Sequence, residues 1–285
     1  MTKAKLFMIQ GTSSGAGKST LVTAFCRIFN DKGYRVVPFK AQNMSSNIYI
    51  TNKTLGMISL AQAIQAIASR KNPDIRMNPI LLKPLGDYRS RVILCGKYYS
   101  EMHAKEYYER FILQKGLSLI LNSLDSLRKE NDIVVIEGAG SPAEINISKY
   151  DAANMLLAEK VCAPVIICSD IERGGCFASI VGTMKLLKPI HNDLVKGFLI
   201  NKFRGDISLL NPAIKSVEKI TRRQVFGVIP KLDFHLPDED SLDSRRTNKQ
   251  EQPRESWDCH INLLAKAVNK SINIQRIMTK VIGLM

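Results

Sequence analysis

The chain has 285 residues, enough for one large α/β domain or two small ones. Hydrophobic residues make up 45% of it and charged residues 24%, a balance that buries a core and excludes a wholly disordered chain. The net charge of +15 is unusual and points to anionic partners: nucleic acid, acidic headgroups or a ligand with several carboxylates or phosphates, with a merely lysine-rich surface as the alternative.

No apolar run approaches the ~20 residues a membrane helix needs. The opening MTKAKLFMIQG holds too short an apolar stretch for a secretory signal. A cytoplasmic protein without a membrane segment is the expectation. Cys26, Cys95, Cys162, Cys168, Cys176 and Cys259 form no CxxC pair, so reduced, mostly buried thiols are expected rather than a zinc site or a disulfide framework.

Short runs rich in valine and isoleucine alternate with helical patterns. The strand candidates are Lys5–Gln10, Val36–Phe39, Ile133–Ile136, Pro164–Cys168, Gly197–Ile200 and Val225–Ile229. The helix candidates are Lys18–Asn30, Ser59–Ser69, a long Glu101–Lys129 with a break at Gly116, Ala152–Lys160, Cys176–Leu187 and Leu209–Ile220. This alternation predicts an α/β fold with a doubly wound, mostly parallel sheet. Ligands of such sheets sit beyond the carboxyl ends of the strands. One synthetase domain is expected over 1–237, a polar linker or loop over 238–256 and a helical tail over 257–285, with Ile261, Leu264, Ala265 and Val268 on one face of that tail.

GTSSGAGKST follows the first strand and opens the first helix, the context a phosphate loop requires. Gly15 and Gly17 let the backbone wrap phosphate oxygens. Lys18 reaches the β- and γ-phosphates, and the Ser19 hydroxyl is placed to ligate Mg²⁺. The usual spacing puts glycine six residues before the lysine; here Thr12 stands there and the glycine is Gly11.

Polar clusters close the other strands. Glu137, in IEGAGSPAE, can hold Mg²⁺ directly or through water. Asn201, in INKFRGD, can pair with a purine edge. Lys40, in FKAQNMSSN, stands beside Gln42, Asn43 and Asn47 and suits a phosphoryl group and a carboxylate. Asp170 and Arg173 lie in a glycine-rich turn, where Arg173 either holds a carboxylate or makes a helix-start ion pair. Cys176, in GGCFA, lacks both a following glycine and a downstream histidine–glutamate pair, so a nucleophilic role is rejected.

GTSSGAGKS, PFKAQNMSSN, AQAIQA, MNPILLKP, VVIEGAGSPAEIN, SDIERGGCFASIVGT, INKFRGD and LPDEDSL follow one another in an order that resembles the cobyric acid synthases, from about residue 5 to residue 242. These are glutamine-dependent amidotransferases of cobalamin biosynthesis, related to dethiobiotin synthetase and cobyrinic acid a,c-diamide synthase. The resemblance implies a P-loop NTPase of the dethiobiotin-synthetase-like type, acting as a ligase. It passes the ATP γ-phosphate to peripheral carboxylates of adenosyl-cobyrinic acid a,c-diamide, and ammonia then gives amides at b, d, e and g. Lys18, Lys40 and Glu137 would be catalytic. Thr12, Ser14, Gly15, Ala16, Gly17, Lys18, Ser19, Thr20 and Asn201 would bind ATP, and Ser19 and Glu137 would hold Mg²⁺. Gln42, Asn43, Gln62, Lys83, Asp170 and Arg173 would face the corrinoid.

Two departures follow from the same comparison. The tail after Leu242 does not resemble the family's glutaminase domain, which implies ammonia from a separate glutaminase subunit or free in solution. The family's acid about five residues before its glutamine helix motif is Met57 here. A homodimer is a further partner expectation; nucleic acid and membrane are not. The rival readings are a dethiobiotin-synthetase-like activation of a smaller carboxylate or carbamate, and a MinD/ParA-type regulatory ATPase. The long KAQNM-containing middle region argues against the first. The second needs a lysine just before the loop glycines, where Gln10, Gly11 and Thr12 stand.

Overall fold

A computed structural model describes residues 3–232 and 254–284; the stretch expected as a polar linker, up to residue 253, lies outside them. Strand β1 (Lys5–Gly11) leads into helix α1 (Lys18–Asp31), and β2 (Val36–Phe39) follows. Then come β3 (Gln42–Met44), an antiparallel pair β4 (Ile48–Ile50) and β5 (Met57–Ser59), and α2 (Leu60–Ala68). An antiparallel meander, β6 (Ile80–Gly86), β7 (Arg89–Leu94) and β8 (Lys97–His103), runs into a continuous helical stretch. That stretch is α3 (Ala104–Glu106), a wider π-helical segment Tyr107–Gly116 and α4 (Leu117–Glu130). The remainder alternates: β9 (Ile133–Glu137), α5 (Met155–Val161), β10 (Val165–Asp170), α6 (Cys176–Leu186), α7 (Pro189–Leu194), β11 (Val195–Phe203), α8 (Asn211–Thr221) and β12 (Gln224–Pro230). Helices α9 (Arg254–Ser271) and α10 (Ile274–Ile277) and a π-helical turn Met278–Ile282 close the described chain.

Six strands form one parallel sheet in the order β12-β11-β10-β1-β9-β2. The expected doubly wound parallel sheet is borne out, and its six strand candidates are these six strands. The period of two along each strand sorts the core. Phe7 and Ile9 of β1 belong to the layer under α1, α2 and α9, whereas Leu6 and Met8 belong to the layer under α4, α5, α6 and α8. Under α1, Phe7 meets Phe25 edge-on with centroids 4.9 Å apart. The chain moves from β1 outward to β2 on one side and to β10 on the other, so the carboxyl end of β1 is the switch point where a crevice opens.

Three features depart from the sequence reading. The long helix expected from Glu101 starts later, because Glu101–His103 belong to β8. KYYSEMH alternates along an extended strand, and Arg91 of β7 stands opposite Glu101, to which it donates at 3.3 Å. The expected break at Gly116 is instead a widening of a helix that continues through it. The meander joins β3 in a second, four-stranded sheet, order β3-β6-β7-β8, that the sequence reading does not contain.

The face with Ile261, Leu264, Ala265 and Val268 is buried on α1. Arg27, fully buried in α1, donates to the carbonyls of Ile67 and Ala68 at the end of α2 and to Asn262 and Asp258 of α9. One guanidinium thus satisfies acceptors from two neighbouring helices, the use for which its planar fork is suited.

Candidate nucleotide site

The loop between β1 and α1 is built from backbone bonds on one side. Thr12 N donates to Cys168 O at 2.9 Å and Thr12 Oγ1 lies 3.0 Å from Ser169 Oγ, so pairing with β10 runs one residue past Gly11. This accounts for the displaced glycine: the loop leaves the sheet later than the usual spacing implies. Asn201 Nδ2, at the end of β11, donates to Ala16 O at 3.0 Å, and Lys202 Nζ donates to Gly15 O at 2.7 Å. The loop carbonyls are thereby drawn toward β11, away from the site where the N–H groups of the first turn of α1 can meet an anion. Gly17 has φ 96°, and a Cβ there would stand 2.0 Å from Asn201 Nδ2, so only glycine serves.

Lys18 is 7% exposed and donates to Ser13 O at 3.0 Å and to Gly140 O at 3.1 Å. It therefore bridges the loop and the turn after β9. That turn is held by Asn154, which donates to Ala139 O at 2.6 Å and accepts from Ala139 N at 3.1 Å. Asn154 in turn donates to Asp151, whose carboxyl burial pushes up to about 7.

Glu137 is 1% exposed and collects two of the expected residues and a third, Gln65, that was not expected. Its Oε1 accepts from Ser19 Oγ at 2.7 Å and from Lys40 Nζ at 2.8 Å, across 97 residues of sequence. Its Oε2 accepts from Gln65 Nε2 at 2.5 Å. A buried carboxylate next to a buried ammonium is tolerable only with this many partners. The Ser19 hydroxyl and the Glu137 carboxylate are hard oxygen donors side by side at the phosphate end, a donor set that suits Mg²⁺.

A cleft of about 780 Å³ joins these groups. Ser14, Gly15, Gly17, Lys18, Ser19, Thr20, Lys40, Asn43 and Asn201 line it. Asn43 donates to Ser59 Oγ at 2.7 Å, and the same oxygen caps α2 through Gln62 N, which pins that helix to β3. Gln42 Oε1 accepts from Tyr107 OH at 2.8 Å. The Gln62 side chain is 1% exposed, and among the described residues neither of its amide atoms has a hydrogen-bond partner.

Other expected residues lie apart. Lys83 borders a second, smaller pocket with Ile48, Met57, Arg91, Ile93 and Tyr98, whereas its neighbour Pro84 lines the main cleft. Adjacent strand residues point to opposite faces, which takes Lys83 away from the phosphates. Met57 stands in that same pocket, so the position where the family has an acid is not beside Glu137. Asp170 is bonded to Lys202 Nζ at 2.9 Å and to Glu172 N at 2.8 Å, beneath the loop. Arg173 is exposed. Cys176 is buried, and burial pushes its thiol up, the opposite of an activated nucleophile.

Sequence reasoning missed Gln65, Lys202 and Glu172. The repeated glutamine of AQAIQA, three residues apart on one helix face, was the signal for Gln65. Lys202 has φ 61°, a strained backbone that sequence does not announce. Glu172 borders the cleft, paired with Lys231 and Arg204.

A family model, the CobQ/CobB/MinD/ParA nucleotide binding domain, matches residues 7–239. The chain belongs to this family. Within it, a cobyric acid synthase of Caldanaerobacter subterraneus subsp. tengcongensis is 53% identical over 238 residues, 84% of this chain and 46% of that protein. A probable cobyric acid synthase of Thermococcus kodakarensis is 49% identical over 263 residues, 91% of this chain and 52% of that protein. The chain spans about half the length of the curated relatives it matches. The resemblance to cobyric acid synthases is therefore borne out. Among solved structures, signal recognition particle receptor FtsY from Elizabethkingia anophelis in complex with GDP aligns with TM-score 0.48 at 14% identity, covering 80% of this chain and 58% of that chain.

Proposed function

We propose that this chain is the ATP-dependent amidating part of a cobyric acid synthase. The observation that carries the reading is that Lys18, Ser19 and Lys40 line a single cleft, with Glu137 bonded to Ser19 and Lys40, in a member of a nucleotide-binding family. Phosphoryl transfer asks for positioned cations and a phosphate cradle more than for a base. An acceptor carboxylate oxygen attacks the γ-phosphorus, the bond to the β,γ-bridging oxygen breaks, and ADP leaves. Ammonia nitrogen then attacks the acyl carbon, the bond to the phosphate oxygen breaks, phosphate leaves, and the nitrogen loses its proton. The acceptor is adenosyl-cobyrinic acid a,c-diamide, converted at b, d, e and g.

Lys18 and Lys40 neutralise charge on the moving phosphoryl group, and Glu137 keeps Lys40 in place. The loop from Thr12 to Thr20 holds the triphosphate, with Asn201 toward the base. Ser19 and Glu137 would hold Mg²⁺, which when bound would supply further charge neutralisation at the phosphates. Gln42, Asn43 and Gln62 serve the acceptor, and Asn43 lines the cleft together with Lys40. Lys83 and Arg173 reach only outlying carboxylates of a wide acceptor. Asp170 acts through Lys202. Ammonia comes from a separate glutaminase chain or from ammonium, and the working form is a homodimer.

The test combines the purified chain with ATP, Mg²⁺, ammonium and cobyrinic acid a,c-diamide. Mass spectrometry is expected to show stepwise carboxylate-to-amide exchange. ATP hydrolysis with no change in the corrinoid mass would overturn the reading.

A further inference from the structure

We infer that α9, which lies beyond the residues 7–239 matched by the family model, forms the apolar wall of the nucleotide site and carries the grip on the base. The inference rests on the reading of the cleft as an ATP site. Lys18 and the first turn of α1 set the phosphate end. Asn201 and Lys202 border the same cleft, where they hold the carbonyls of Ala16 and Gly15. The same lining includes apolar side chains. Ile229 of β12 and Leu232 just past it come from the sheet, and Leu264 and Val268 come from α9. A purine is a flat, largely apolar ring whose faces gain from such a slot, while its triphosphate gains nothing from it.

The wall is anchored, not merely nearby. Asp258 and Asn262 of α9 hold the buried Arg27, which projects from the helix that the phosphate loop opens. At the other end of α9, Asn273 N donates to Phe226 O at 3.2 Å and Ile272 bridges to Gly227. A Cβ on Gly227 would stand 2.5 Å from Ser271 O, so glycine there lets the end of α9 press on β12. Leu264 and Val268 thus sit between two fixed ends, 1% and 0% exposed, and both line the cleft.

The experiment measures affinity for ATP and for inorganic tripolyphosphate by calorimetry in the wild type, Leu264→Ala and Val268→Ile. The first variant enlarges the slot and the second intrudes on it by one methylene. ATP affinity is expected to fall about tenfold in each, the equivalent of one well-packed apolar contact, with tripolyphosphate affinity held within about twofold. Equal losses for both ligands would mean a merely structural role and overturn the inference. Unchanged ATP affinity in both variants would overturn it while the ATP reading stands. Wild-type protein that binds tripolyphosphate but not ATP would overturn both.

Discussion

The parallel sheet and the four-stranded accessory sheet treat charge in opposite ways. At the ends of the parallel strands, Lys18, Lys40 and Glu137 are nearly inaccessible and each is held by named partners. On the accessory sheet, Lys83 stands directly opposite Arg91, a like-charged pair, and Lys83 has no hydrogen-bond or ion-pair partner among the described residues. Tyr88, Tyr98 and Tyr99 are exposed on the same meander. A reaction centre needs groups held in place before the ligand arrives. A surface that meets a wide ligand can leave its charges loosely held, at some cost in sheet stability. The first arrangement suits chemistry and the second suits contact.

Four measurements break or sharpen this contrast. Lys18→Met should reduce ATP turnover the most, by at least about 10²–10³-fold, the range for removing a preorganised charge donor. A loss under tenfold, measured in a phosphate-release assay, would mean that the parallel sheet's end is not the reaction centre.

Glu137→Gln should come next, through stability. It leaves the Lys40 ammonium buried without its carboxylate, which costs about 3–5 kcal/mol. The Lys40→Met, Glu137→Gln double variant should recover part of that loss. Lys83→Ala, by contrast, should change stability by no more than about 0.5 kcal/mol. Urea titrations of all four proteins make the comparison.

The third measurement uses pH. Burial lifts the Asp151 carboxyl from its usual 3.8 to about 7, with Glu144 adding repulsion and bonds from Asn154 opposing the rise. The folded protein keeps this proton where the unfolded chain has released it. Its contribution is full below the unfolded value and is lost as pH rises through about 7. Urea midpoints of the wild type should therefore decline between about pH 5 and about pH 8 more than those of Asp151→Asn. Parallel profiles would show that the turn behind Lys18 is not coupled to this carboxyl.

The smallest effect is expected on the accessory sheet. Lys83→Ala should raise the KM for the acceptor proposed above by about threefold, the size of one exposed ion pair, and leave ATP affinity unchanged. A shift in ATP affinity would place Lys83 in the same functional unit as Lys18.

Much of the site is legible because its chemistry sits where a strand ends. The loop after β1, Lys40 after β2, Glu137 at the end of β9 and Asn201 in β11 each announce themselves by a polar residue closing an apolar run. The accessory sheet is hidden because RSRVIL and ILLKPLG carry charges and a proline that weaken a strand reading. Gln65 reads as an ordinary helical glutamine until α2 is laid against Glu137.

The sequence by itself determined the six parallel strands with the helices that alternate with them, the phosphate loop and the family, because loop spacing and residue period are short-range properties. Only the tertiary structure decided which charges meet. Lys40 finds Glu137 across 97 residues and Arg27 finds Asp258 across 231, while Lys83, for all its promise in sequence, turns to the other face of its strand. Those outcomes depend on strand order, on crossovers and on where α9 returns to α1, none of which is encoded in the spacing around the residues themselves.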